Sequence, residues 1–174
     1  EGITRSAARG TSMGLGVRVQ RGDATGYAYV EDLAFDAMKR AAETAARIAG
    51  GTPGGVTGLA PSVLPDRYAL ERLTLDVNGR EKRALLERAS CAALAADSRV
   101  KKVEASFAEE VREVIVATSS GVYAHDVQPL FRFGVRVIAE EKGRRESGRS
   151  GGGGRMTLGY FADASPERHA AEAV

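Results

Sequence analysis

Leu130–Arg155 reads L-F-R-F-G-V-R-V-I-A-E-E-K-G-R-R-E-S-G-R-S-G-G-G-G-R. Its first half alternates strictly. Phe131, Phe133, Val135 and Val137 fall on one face, and Arg132, Gly134, Arg136 and Ile138 on the other, the period of a half-buried strand. Glu140-Glu141-Lys142-Gly143-Arg144-Arg145 supplies a solvated hairpin tip. A return strand then runs into four consecutive glycines, Gly151–Gly154, flanked by Arg149 and Arg155. Glycine loses more backbone entropy on ordering than any other residue, so such a run needs a reason. Two reasons stand side by side: a flexible connector, or a place where another backbone or a ligand approaches too closely for side chains.

Upstream of this block the same period predicts strands near Lys102–Ala108, Arg112–Thr118 and Val122–Val127. Turns at Glu109-Glu110, Ser119-Ser120-Gly121 and Gln128-Pro129 would join them and the last strand into an antiparallel meander. Asn78 with Glu81 three residues on is a capping-box-like start for a helix to about Ala96, with Leu85, Ala89, Ala92, Ala93 and Ala96 on one stripe. Cys91 lies off that stripe, as a small filler. Near the N-terminus, Met13–Val30 predicts a hairpin with turn chemistry in R-G-D-A-T-G. The Arg21-Gly22-Asp23 tripeptide reads as its tip rather than as an adhesion signal. Glu31–Ala49 follows as an alanine-rich helix with a wide apolar face, Phe35 and Met38 being assigned to the core, and Gly50-Gly51 ends it. Together these predict an α+β fold. Its antiparallel sheet is formed of the N-terminal hairpin and the C-terminal meander, with two main helices packed on it.

The expected subdivision is hairpin and helix over 1–50, a Pro/Gly-rich loop over 51–66, helix plus meander over 67–164, and the start of a helix over 165–174. Ser165-Pro166-Glu167 begins that last helix with an N-cap, an N1 proline and an acid near the dipole. The non-Met first residue and the unfinished last helix lead us to expect a piece of a longer protein.

The chain has 174 residues, 43% hydrophobic and 28% charged, and no apolar run near the roughly 20 residues of a membrane helix. Twenty-five basic against 23 acidic residues leave +2, interspersed rather than clustered, which argues against a nucleic-acid footprint. One cysteine excludes an internal disulfide and fits a reducing compartment. The two histidines, His125 and His169, show no second ligand at helical spacing, so no metal site is assigned to this chain. His125-Asp126 reads as a polar pair on a sheet face, and His169 as an exposed helix residue. No G-x-S-x-G elbow, P-loop or G-x-G-x-x-G register is present, and the Glu pairs fall at expected solvated tips, so no catalytic residue is assigned. One use does fit the glycine run: an extended peptide laid alongside it, held by main-chain hydrogen bonds, with Arg149 and Arg155 taking a carboxylate. The candidate peptide-contacting residues are therefore Arg149, Gly151, Gly152, Gly153, Gly154 and Arg155.

Nearly end to end, the chain resembles the N-terminal part of the TldD branch of the TldD/PmbA family of metalloproteases. The resemblance is carried by G-V-R-V…T-G-Y-A-Y, E-K-R-A-L-L-E-R-A, R-V-K-K-V-E-A-S-F, E-V-I-V-A-T-S-S-G and, most specifically, the block from Asp126 to Arg155. It implies a zinc-dependent peptidase acting on unfolded or flexible peptides, cytoplasmic, in a TldD–PmbA-type assembly of like or unlike subunits. The same family also carries a label as modulator of DNA gyrase. The family's ligand motif, H-E-x-x-x-H, lies beyond this sequence, so the fragment alone is expected to be inactive and its glycine run poorly ordered. The alternative from another class is a non-catalytic peptide-binding or assembly module of the PmbA type.

Overall fold

The computed structural model describes residues 2–51, 58–62, 65 and 72–174. Two compact units emerge, Ile3–Gly58 and Leu59–Val174 with Gly2. The fold is α+β as expected, but the hairpin and the meander build separate sheets.

In the first unit β1 (Leu15–Arg21) pairs antiparallel with β2 (Ala24–Val30) around Gly22, whose φ of +57° suits the tight tip. The helix α1 (Phe35–Ile48) and its C-cap bury Ala37, Ala41, Ala45 and Ala49, a four-residue repeat along one stripe. The alanines let the helix lie almost on the strand. A Cβ on Gly26 would collide with the Ala45 carbonyl oxygen. That closeness corrects the expected core: with no room between helix and strand, Phe35 is left 74% exposed and Met38 half-buried. At the helix exit, Gly50 N–H donates to Arg47 O and Gly51 N–H to Ala46 O, both at 2.9 Å, the paired bonds of a Schellman stop.

The second unit centres on one long strand. β4 (Val100–Ala117) and β5 (Val122–Glu141) pair antiparallel along nearly their full lengths, and β6 (Arg144–Gly154) continues on the other edge of β5. The four expected meander strands thus merge into two. The turns expected at Glu109-Glu110 and Gln128-Pro129 are mid-strand, where Glu110 faces Leu130 and Val111 faces Pro129. Pro129 is tolerated because β6 does not reach that part of β5, and among the described residues one edge there needs no N–H donor. Glu109 is half-buried and ion-paired with Lys82, rather than solvated at a tip. The hairpin tip at Lys142-Gly143 is as read, with φ of 50° and 78°, matching a two-residue turn. Of the Pro/Gly-rich stretch, 52–57, 63–64 and 66 lie outside the described residues, whereas β3 (Ala60–Pro61) pairs parallel with Val122–Tyr123.

The core lies on the face of Phe131, Phe133, Val135 and Val137, each at most 2% exposed. Against it pack Ala89 and Ala93 of α2 (Gly79–Ala96), Phe161 of α3 (Tyr160–Asp163), and Ala170 and Ala173 of α4 (Pro166–Ala173). Phe107 stacks on Phe131 with centroids 5.5 Å apart, and Phe133 meets Phe161 edge-on at 5.1 Å. Asn78 caps α2 by accepting from Arg80 N–H at 2.9 Å, and Ser165 caps α4. Cys91 is exposed on α2 and fills no core space.

Candidate functional site

The glycine run is the C-terminal part of β6, hydrogen-bonded to β5 through Phe131↔Gly154, Arg132↔Gly153, Phe133↔Gly152 and Gly134↔Gly151. It is a paired strand rather than a connector. Close approach is the reading that survives, but the near neighbours belong to this chain. On the helix side, a Cβ on Gly148 would strike the Ala173 carbonyl, and one on Gly152 the Tyr160 hydroxyl. On the other side, Cβ atoms on Gly151 and Gly153 would strike the carbonyls of Phe133 and Phe131, and Gly153 has φ +139°, which excludes ordinary side chains.

Beneath the run lies a connected polar group. His169 is buried, not exposed as expected, because α4 lays this face on β6. Ser150 Oγ donates to Glu172 at 2.8 Å and stands 3.0 Å from His169 Nδ1, while Tyr160 OH stands 2.8 Å from His169 Nε2. The Glu172 carboxylate is held below its ordinary pKa by the Ser150 hydrogen bond and then by Arg168. Being ionised, it can only accept, so Ser150 spends its proton there and accepts from His169 Nδ1–H. Nε2 is then the acceptor for the Tyr160 hydroxyl. All four groups are satisfied in one direction, which locks β6 to α3 and α4. Sequence pattern alone missed this cluster, since Ser150, Tyr160, His169 and Glu172 meet only through tertiary packing.

Opposite, on the outer face of the sheet, is an open trough of about 890 Å³. Its floor is bare backbone at Gly134, Gly151 and Gly153, and its polar side chains are Arg132, Arg136, Arg149, Glu104 and Ser106. Arg149 and Gly151–Gly154, all named from sequence, line it; Arg155, also named, is exposed beyond the end of β6 and does not. Arg132 and Arg136 were missed as site residues. The alternation did put them on the face away from the core, but only the strand register sets Arg136 opposite Arg149. Among the described residues β6 has no strand on its second edge, so the glycine segment presents unpaired main-chain groups beside the trough.

The described residues do not assemble a metal centre. No three His, Cys, Asp or Glu side chains converge among them. His125 Nε2 lies 2.8 Å from Glu113 Oε1 across the sheet, not beside Asp126, whose carboxylate accepts from Gln128. His169 has both nitrogens engaged. The donor set here does not fit a zinc ion.

Known proteins agree with this architecture. The sequence pattern of the PmbA/TldA metallopeptidase central domain matches residues 73–174, and that of PmbA/TldA metallopeptidase domain 1 matches residues 1–49. The chain belongs to the PmbA/TldD metallopeptidase family. It is 34% identical over 149 residues to a metalloprotease TldD homolog of Buchnera aphidicola from Acyrthosiphon pisum, covering 85% of this chain and 31% of that protein. Against the metalloprotease TldD homolog of Haemophilus influenzae it is 32% identical over 166 residues, covering 92% and 34%. It therefore spans about a third of the length of these relatives. A crystal structure from Thermotoga maritima, described as a candidate modulator of a DNA gyrase, superposes with a TM-score of 0.69. It is 17% identical and covers 92% of this chain and 36% of that one, a likeness of fold. No helix among the described residues is long and apolar enough to cross a membrane.

Proposed function

We propose that this chain is the substrate-docking and assembly part of a cytoplasmic, zinc-dependent TldD-type peptidase that cleaves unfolded or flexible peptides. The zinc ligands are assigned to the remainder of the protein, and this part alone is inactive. A TldD/PmbA-type second subunit, like or unlike, completes the assembly. Family membership supports the reaction class. The observation that carries the role of this part is the open edge of β6 at Gly151–Gly154. An extended peptide pairing there gains main-chain hydrogen bonds whatever its side chains, which is the tolerance an enzyme acting on unfolded chains requires.

Two measurements test this. Metal content and cleavage of an unstructured peptide are compared between the full-length protein and this chain. About one zinc per chain with activity in the former, and neither in the latter, is expected. A full-length protein that binds no metal would instead place the chain with the non-catalytic assembly modules. Separately, a bound peptide N-methylated at alternate residues loses the donors that pair with an edge strand. Its affinity for the full-length protein should drop more than tenfold, and unchanged affinity removes β6 as the docking edge.

A further inference from the structure

The outer trough holds an electrostatic conflict that Glu104 only partly relieves among the described residues. Arg136 and Arg149 stand directly opposite each other on neighbouring strands, on the same face. Like charges in that relation repel and destabilise a sheet. Three arginines line the trough against a single carboxylate, Glu104. Glu104 lies 2.6 Å from Lys102 and reaches Arg136 only at 3.9 Å. Among the described residues no carboxylate pairs with Arg132 or Arg149. Between these cations the floor is glycine backbone, so the space beside the guanidinium groups is open. A conflict left standing where a chain is otherwise consistent marks a place where something else completes it.

We propose that the trough selects extended peptides carrying an acidic side chain, whose carboxylate is taken by Arg149 at the open edge, with Arg136 one strand further in. This rests on the reading of β6 as a docking edge and adds a preference to it. A peptide strand beside β6 points alternate side chains toward the outer face. One of them comes alongside Arg149, where a guanidinium can hold a carboxylate by two parallel hydrogen bonds. The next positions on that face come alongside Gly151 and Gly153, where bulk is accommodated. The preference is thus for an acid followed at two-residue spacing by side chains of any size. Neutralising the Arg136–Arg149 repulsion adds to the gain, so binding of the acidic peptide weakens as salt rises.

The test uses the full-length protein with EDTA present, so that no metal-dependent cleavage consumes the probe. Fluorescent peptides amidated at the C-terminus differ only by Glu or Gln at the centre, and a third carries Gln with a free C-terminal carboxylate. The Glu peptide should bind roughly tenfold tighter than the Gln peptide, and the free C-terminus should not replace it. In Arg149→Gln the Glu-to-Gln ratio should fall to about one, and in Arg149→Glu a central Lys should become the preferred residue. Equal affinity of the Glu and Gln peptides for the unmodified protein overturns the preference while leaving edge docking intact. Tight binding restored by the free C-terminus alone overturns the assignment to a side chain. Failure of the docking reading looks different: the N-methylated Gln peptide then binds as well as its parent.

Discussion

Both sheets of this protein carry glycines on their outer faces, and they treat them in opposite ways. In the hairpin, the Tyr27 hydroxyl lies 2.7 Å from where a Cβ on Gly16 would be, and the ring of Tyr29 covers Gly14 in the same manner. Aromatic rings across the pair shield the bare backbone. On β5 and β6 no ring covers Gly134, Gly151 or Gly153. Their near atoms are the Ser106 hydroxyl and the backbone of the neighbouring strand. Glycine on its own therefore says little about function, because every one of these has a steric or conformational reason. What differs is what stands over it. In the hairpin it is the chain itself; on β6 it is open space rimmed by arginines, of which Arg132 and Arg149 have no carboxylate partner among the described residues.

The strongest test of that comparison is to show that the inner-face glycines are purely structural. Gly26→Val and Gly148→Val each drive a side chain into a helix carbonyl, of Ala45 and Ala173 respectively. Backbone cannot rotate away as a side chain can. Each should cost about 3 kcal/mol in denaturant unfolding, at the upper end for overpacking. A loss under about 1 kcal/mol would mean that the helices do not sit as close as described.

Gly152 should fall in between, because its obstacle is a hydroxyl rather than a backbone. Gly152→Ala alone displaces Tyr160 from His169 and should cost about 2 kcal/mol. Tyr160→Phe alone leaves His169 Nε2 without its donor, about 1 kcal/mol. Together they should cost less than their sum, since removing the hydroxyl makes room for the methyl group. Additive costs in the double-mutant cycle would show that the two positions are not in contact. Smaller still, Tyr27→Ala uncovers Gly16 at a half-exposed site and should cost about 1 kcal/mol. The same change should leave the affinity for peptide untouched if the two outer faces serve different ends.

Much of this arrangement could be read from sequence, and the failures have definite causes. Alternation gave Phe131, Phe133, Val135 and Val137 as one buried face, and the caps at Asn78 and Ser165 were visible because capping is local. The mid-strand Glu109 and Pro129 read as turns because their residue types suit turns. What overrides them is a partner for Glu109, in Lys82, and, among the described residues, an open edge beside Pro129, neither encoded nearby. Phe35 was placed in the core because hydrophobicity on a helical wheel cannot tell that alanines have closed the gap. The trough shows the same limit. Arg132 and Arg136 were legible as facing away from the core, but their convergence with Arg149 depends on the β5–β6 register.

The smallest expected effect concerns the clamp between α2 and α4, on the helix side where no ligand is invoked. Arg88 donates two hydrogen bonds to Glu167, at 2.6 and 2.8 Å, spanning 79 residues of sequence. Chiefly through the Arg88 hydrogen bond, the Glu167 carboxylate is held at about 2 instead of its ordinary 4.5. A carboxylate depressed in the folded state binds protons more readily once unfolded. Its stabilisation is therefore complete above about pH 4.5 and is lost as pH falls toward 2. Both side chains are roughly half exposed, 51% and 43%, so solvent screening keeps the contribution below about 1 kcal/mol. Glu167→Gln should flatten that part of the acid-unfolding curve and leave stability at pH 7 lower by the same small amount. An unchanged acid limb would show that the pair does not tie α4 to α2. The closeness of α4 to β6 would then rest on the Ser150–His169–Tyr160 contacts and the alanine packing alone.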